Sequence, residues 1–296
     1  MRFVFLALLC MLVTVARAAG PPDGNANALK EKYQALEAEL RDSPFGRPLV
    51  LDSKEASSEV MGDAYVVLAH PFAQVGPALA EPASWCDIFM LPFNTKQCRV
   101  ARENGAPVLD VRIGRKNEDS AEQAYPVTFQ YRVTGLSTDL LQVRLEAGEG
   151  PFGTRDYRVA LEAIPLPGDR TFLHLSYAYA FGLSGRLAMQ AYLGTVGASK
   201  VGFTVNGKDA EGKPRYVGGM RGVIERNTMR YALAIEAFLG ALSAGARRTD
   251  KAAHDWFAAT ERYPRQLHEM DEAEYLAMKK KEYARQAQAA GHARGT

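Results

Sequence analysis

Between residues 108 and 181 the chain alternates apolar and polar positions through five runs of strand length. Val127, Phe129, Tyr131 and Val133 fall on one side, and Thr128, Gln130, Arg132 and Thr134 on the other. Leu141, Val143 and Leu145 repeat the pattern, as do Tyr157, Val159 and Leu161. Leu173, Leu175, Tyr177, Tyr179 and Phe181 extend it. A period of two sends successive side chains to opposite faces of a strand. The pattern therefore predicts an antiparallel sheet with one dry face and one wet face. The breaks, at Asn104-Gly105 and within 148–153 and 165–169, carry turn chemistry and suit consecutive hairpins. Further strands are expected at 49–53, 59–69 and 96–102.

A dry face needs a cover. Residues 218–242 supply the longest helical pattern, with Ile224, Thr228, Tyr231, Ile235, Phe238 and Leu242 spaced alternately by four and three. Residues 28–40 place Leu29, Tyr33, Leu36 and Leu40 on one stripe. Residues 72–80 read as a helix behind Pro71, with a break expected at Pro77. Pro82 starts a second short helix carrying Trp85, Ile88, Phe89 and Leu91. Residues 184–196 read as helix and 200–205 as a short strand or loop. Residues 249–288 form a charged helical tail interrupted near Pro264; its run Lys279-Lys280-Lys281 lies among acids and reads as a solvated face.

The order is strand, two short helices, a run of antiparallel strands and a long C-terminal helix. On Asp63-Ala64-Tyr65-Val66-Val67-Leu68, residues 72–85, the strand series and residues 220–242, the chain resembles the START-related, polyketide cyclase-like and Bet v 1-like superfamily. The resemblance is architectural, covers about residues 49–244 and rests on no short signature. It implies an α+β helix-grip fold: a curved antiparallel sheet wrapped around a long C-terminal helix. An N-terminal helix and the charged tail lie outside that common core, and residues 184–217 are an insertion. It also implies a tunnel between sheet and helix that binds lipids, sterols or polycyclic compounds. A minority of the superfamily are enzymes, so the fold leaves the chemistry open.

The first residues join a basic start, a short apolar run and Ala16-Arg17-Ala18, the form of a cleaved signal peptide. The apolar run is too short to span a bilayer comfortably. The expected division is a signal peptide at 1–18, a lead and N-terminal helix at 19–48, the main domain at 49–244 and the tail at 245–296. Loss of Arg2 and Arg17 brings 36 basic residues to 34, equal to the 34 acids. Such a neutral chain has no overall field for nucleic acid, which is not expected as a partner. Cys86 and Cys98 then form an even pair, read in an exported chain as one disulfide; the alternative is two buried thiols. With the resemblance, the single disulfide points to the periplasm.

The dry face carries Tyr131, Tyr157, Tyr177 and Tyr179. A buried phenol hydroxyl left unpaired costs about 1–3 kcal/mol. Several of them facing one helix indicate a wet or ligand-filled interior, unless each reaches the sheet rim or a helix polar group. The candidate ligand-binding set is Phe129, Tyr131, Tyr157, Leu161, Leu175, Tyr177 and Tyr179 from the sheet, with Arg221, Ile224, Thr228 and Tyr231 from the helix. Arg221 or Arg230 is a candidate reader of a ligand's polar end, against the plainer reading of solvated helix charges. Arg221 and Glu225 are four apart and share a face. Leu187, Met189, Tyr192 and Phe203 give the insertion enough apolar surface for a lid, or for a rigid insert.

His174 falls on the wet side beside Glu162 and Arg158, and no hydrolase, zinc-protease, phosphate-loop or dinucleotide motif is visible. No catalytic residue, cofactor or metal ligand is expected. The expected function is binding or transfer of a hydrophobic small molecule or lipid, with transient membrane or protein contact and oligomeric state left open. The rivals are a cyclase-like enzyme and an envelope interaction protein docking through its charged tail.

Overall fold

The computed structural model describes residues 26–115, 121–182, 185 and 200–293. The expected signal peptide, and Leu187, Met189 and Tyr192 of the insertion, lie outside the described residues. Eight strands form one antiparallel sheet: β1 (Leu49–Glu55), β2 (Glu59–Leu68), β3 (Thr95–Glu103), β4 (Ala106–Ile113), β5 (Tyr125–Leu136), β6 (Leu141–Glu149), β7 (Thr154–Leu166) and β8 (Arg170–Phe181). Their order is β1-β2-β8-β7-β6-β5-β4-β3. Helix α1 (Ala26–Arg41) precedes them, and α2 (Phe72–Leu79) and α3 (Pro82–Phe89) lie between β2 and β3. A small hairpin, β9 (Val205–Lys208) and β10 (Pro214–Tyr216), leads into the long helix α4 (Gly219–Gly240). Helices α5 (Arg248–Thr260), α6 (Pro264–Leu267) and α7 (Glu272–Ala293) follow. The antiparallel sheet and its long covering helix are what the period-two and period-3.6 patterns predict, and their order is the α+β helix-grip arrangement that the resemblance implies.

Register follows the apolar pattern. Tyr131 faces Leu145, Leu145 faces Val159, Val159 faces Tyr177, and Leu161 faces Leu175. A slip of one residue would turn each of these sets outward. Helix α4 seats directly on β2: a methyl group at Gly62 would overlap the Thr228 hydroxyl and crowd Ile224. The glycine is required there by close approach of helix and strand. Helices α2 and α3 cover the neighbouring part of the inner face, with Trp85, Ile88 and Phe89 buried.

The structure differs from the sequence reading in four places. Helix α2 runs through Pro77 without a break, and the interruption falls after Leu79. Val133 is 38% exposed where β5 shifts register against β6, so the dry row ends before it. The opposite face is not wet throughout: Leu29, Leu36 and Leu40 of α1 pack on Ile164 and Phe172. Finally, the tail is part of the core. Trp256 and Tyr275 are fully buried, and their rings lie 5.0 and 5.3 Å from Phe93. Lys279 is correspondingly buried and not solvated; its ammonium donates to Pro92 O at 2.7 Å and pairs with Glu282 at 2.8 Å.

Helix α7 also closes the β3 edge, where the Cys98 amide donates to Gln286 Oε1 at 3.0 Å. Cys86 of α3 and Cys98 of β3 form a disulfide. No helix among the described residues is long and apolar enough to cross a membrane.

Candidate ligand-binding site

The inner face of the sheet meets α3 and α4 in a cluster of rings. Tyr177 and Tyr179 project from the same side of β8, and Tyr157 from the adjacent β7. The Tyr157 and Tyr179 rings stack at 5.3 Å with planes 19° apart. Tyr177 lies 5.8 Å from Tyr179 and 5.6 Å from Tyr231 of α4. Phe89 of α3 bridges Phe129 of β5 and Tyr231, 5.5 Å from each. The structure thus brings Phe129, Tyr157, Tyr177, Tyr179 and Tyr231 into one group. Leu161 and Leu175 form the fully buried wall one step along the same strands.

The hydroxyls divide into two kinds. Tyr131 donates to Ala80 O at 2.7 Å, tying the sheet to the end of α2. Tyr157 donates to Thr154 Oγ1 at 2.6 Å, and Thr154 donates to Pro151 O. By contrast, no hydrogen-bond partner among the described residues reaches the hydroxyls of Tyr177, Tyr179 or Tyr231. Thr228 Oγ1 of α4 is closed in without a partner among the described residues. Tyr231 is packed among the rings yet keeps part of its surface uncovered. Burial raises all four phenol pKa values, that of Tyr157 to about 12 and the others further. The hydroxyls are therefore protonated donors at physiological pH.

The remaining predicted residues take other places. Ile224 and Thr228 lie against Gly62, where α4 meets β2. Arg221 donates through Nε to Ser53 Oγ at 2.7 Å and pairs with Glu225 at 3.6 Å. Arg230 pairs with Glu269 at 2.7 Å. Sequence reasoning missed the role of Glu225. Its fully buried carboxylate accepts from Ser53 Oγ at 2.5 Å, Thr204 Oγ1 at 2.7 Å, and the amides of Phe203 and Thr204 at 2.5 and 2.9 Å. It clamps the segment before β9 onto α4. Gly202 makes this close approach feasible, since a Cβ there would stand 2.5 Å from Glu225 Oε2 and 3.0 Å from Gly222 Cα. Arg226 was also missed; it is buried beside this clamp and donates to Val201 O at 3.2 Å.

A second polar group lies on the other face, toward α1. His174 stands 2.9 Å from Asp63 and 3.5 Å from Glu162, with its ring stacked 4.4 Å from Tyr65. Burial would lower the His174 pKa, but hydrogen bonds and charges from Asp63 and Glu162 outweigh it and raise it above 6.5. Burial likewise opposes ionisation of Glu162, yet His174, Gln142 and Arg144 bring it down to about 2. The signs define a window. Glu162 contributes stability above pH 4.5 that is lost as pH falls toward about 2. His174 contributes stability below pH 6.5 that is lost as pH rises through its folded value. From these groups, stability in urea unfolding should peak between pH 4.5 and 6.5. His174→Gln should flatten the alkaline limb; an unchanged slope there would refute the assignment.

Two open clefts lie away from the phenols. One, of about 350 Å³, is lined by Glu39, Phe45, Leu51 and Phe203; the other, of about 330 Å³, by Tyr33, Glu37 and Arg170. No cluster suited to a metal ion occurs among the described residues.

No protein-family profile matches the chain, and no curated protein matches it. Among solved structures it is similar to norcoclaurine synthase from Thalictrum flavum, at 14% identity and a TM-score of 0.34, over 49% of this chain and 91% of that one. It is also similar to a START superfamily protein from Mycobacterium smegmatis, at 14% identity and a TM-score of 0.32, over 47% and 89%. A conserved protein from Geobacillus kaustophilus matches at 16% identity and a TM-score of 0.31, over 47% and 85%. Likeness at this level concerns backbone arrangement and not chemistry.

Proposed function

We propose that this chain is an exported binding or transfer protein for a hydrophobic small molecule or lipid, held between the sheet and α4. The observation that carries the reading is the set of three hydroxyls, on Tyr177, Tyr179 and Tyr231, that find no hydrogen-bond partner among the described residues within an otherwise apolar ring cluster. A core evolved for packing alone would be filled more stably by Phe or Leu at those positions, because each unpaired hydroxyl costs about 1–3 kcal/mol. Phe129, Tyr157, Leu161 and Leu175 supply the apolar wall. A ligand burying about 300 Å² of apolar surface would gain roughly 7 kcal/mol, before the cost of its immobilisation, at about 25 cal/mol per Å². The Cys86–Cys98 disulfide and the pattern of the first residues support export to an oxidising compartment.

His174, Asp63 and Glu162 form an acid–base set, but it lies toward α1, on the face opposite the phenols. The tail's apolar stripe is already packed in the core. Neither arrangement favours the cyclase or the tail-docking rival. Titration of the purified protein with 1-aminoanthracene should give saturable, blue-shifted emission at one site per chain. Replacing the buried Leu175 by Trp, which fills the wall, should weaken it about tenfold or more. Absence of saturable uptake by the folded wild-type protein would sink the reading.

A further inference from the structure

The two edges of the sheet are treated differently. Helix α7 covers the β3 edge, whereas β1 is the terminal strand on the other side and pairs only with β2. Val67 donates to Pro48 O and Ala56 donates to Glu59 O, in step with the register Leu49↔Val66. Even-numbered residues of β1 therefore bond to β2, and the amides and carbonyls of the odd-numbered ones point to the open edge. Leu49 donates to Arg47 O at 2.7 Å and accepts from Ser43 Oγ at 2.6 Å, and the Ser53 amide donates to the Asp52 carboxylate at 2.8 Å. Leu51 keeps both its N–H and its C=O without a partner among the described residues. It borders the cleft of about 350 Å³ whose facing wall is Phe203, Thr204 and Val205.

Side-chain alternation says what an added strand would need. Leu51 packs with Phe45 and Phe203 toward the main core, while Val50 packs toward α1. An extended segment laid antiparallel along β1 meets both Leu51 backbone groups with a single residue. That residue's side chain falls on the Leu51 side, against Phe45 and Phe203, and those of its two neighbours fall on the α1 side. There the cleft is lined by Glu39 and Asp42 and by no basic residue. Glu39 has no ion-pair partner among the described residues, and Asp42 has Arg41 at 3.8 Å on the open surface. Asp52 is exposed on the same side of β1, with Lys54 two residues further on. A second copy of this chain paired edge to edge would bring like charges together, which is unfavourable.

We propose that the open edge of β1 takes an extended segment of a partner protein as a ninth strand, with an apolar residue opposite Leu51 and a Lys or Arg on each side of it. Backbone hydrogen bonds supply the affinity of such strand addition, and alternate side chains supply its selectivity. This surface is separate from the space between the sheet and α4, so it stands whether or not the interior takes a ligand.

The test uses the purified protein and a fluorescein-labelled peptide, Gly-Ser-Thr-Lys-Leu-Lys-Thr-Ser-Gly, followed by anisotropy. It should bind about tenfold or more tightly than the same peptide with Glu in place of Lys. Methylating the leucine amide, which donates to Leu51 O, should weaken binding about tenfold; methylating the amide of the following lysine, which points away from β1, should change it little. Glu39→Gln combined with Asp42→Asn, both on the surface, should weaken binding about three- to tenfold and reduce its dependence on salt. Amide exchange at Leu51 should slow about tenfold or more in the complex. Absence of binding, equal binding of the Lys and Glu peptides, or indifference to methylation of the leucine amide overturns the proposal. A dimer that forms with rising protein concentration and slows Leu51 exchange, without peptide binding, assigns the edge to a second copy and overturns it too. Uptake of 1-aminoanthracene tests the interior separately and is unaffected by any of these results.

Discussion

Replacing Glu282 by Ala is expected to destabilise the protein by about 3–5 kcal/mol. The Glu282 carboxylate is fully buried between Lys96 Nζ at 3.0 Å and Lys279 Nζ at 2.8 Å. Neutral acceptors also lie near these lysines: Phe93 O and Met278 Sδ for Lys96, and Pro92 O and Thr95 O for Lys279. Carbonyls satisfy hydrogen bonds but do not neutralise charge. Burial lowers the Lys279 pKa to about 8, even though Glu282 pulls it upward. Without Glu282 it falls further, and loss of the proton limits the damage.

The sign of the pH effect follows. The folded value lies below the unfolded 10.5, so between the two the unfolded chain binds more protons and stability rises with pH. In the variant that window opens at lower pH. The deficit of Glu282→Ala should therefore shrink as pH rises toward about 8. Urea unfolding on both sides of that value measures it, and a deficit below about 1 kcal/mol at neutral pH would refute the buried triad. Replacing Lys96 and Lys279 by Met together with Glu282→Leu should recover most of the loss, because a fully apolar set leaves no charge stranded.

The second large effect is expected at Glu225. Glu225→Gln conserves shape but removes the charge and turns one acceptor oxygen into a donor. Oε1 serves the Ser53 and Thr204 hydroxyls, which can turn to accept, and Oε2 the Phe203 and Thr204 amides, which can only donate, so one amide orientation is forced and every remaining bond loses its charge. Hydrogen bonds to a charged group contribute about 1.5–3 kcal/mol each, and a loss of about 3 kcal/mol is expected. The local consequence is more diagnostic than the global one. Amide exchange of Phe203 and Thr204 should accelerate well beyond that of β2 and β8, because the clamp that holds their segment to α4 is cut. Equal acceleration throughout the sheet would mean that Glu225 supports the fold only generally.

Much of the sheet was legible because strand alternation is a local property. Val127, Phe129 and Tyr131 announce a buried row without reference to any other strand, and all three are buried. The stripe from Ile224 to Phe238 announces α4 in the same way. The tail was misread for a related reason. Its charges, Lys279 and Glu282 among them, look solvated when taken one residue at a time. Yet Ala252, Trp256 and Thr260 recur every four residues, as do Tyr275 and Lys279 followed by Glu282 three later, and all six are buried. The period was present in the sequence; the partners that make burial of those charges tolerable come from β3 and from the segment just before it.

The phenols show the same division. Their positions on one face of β7 and β8 follow from period two alone. Which hydroxyls find partners does not. Tyr157 is satisfied by Thr154, three residues away, whereas Tyr131 depends on Ala80, 51 residues away. The strands, the long helix and the buried rows could be read from the residues, and the cysteine pair offered a disulfide as one of two readings, because backbone periodicity and cysteine parity need only near neighbours in the chain. Only the folded chain shows that Glu282 sits between two lysines, that Glu225 clamps the segment before β9, and that three tyrosine hydroxyls find no partner among the described residues. Hydrogen bonds and ion pairs act over a few ångströms of space, and the path of the whole chain determines which groups come that close.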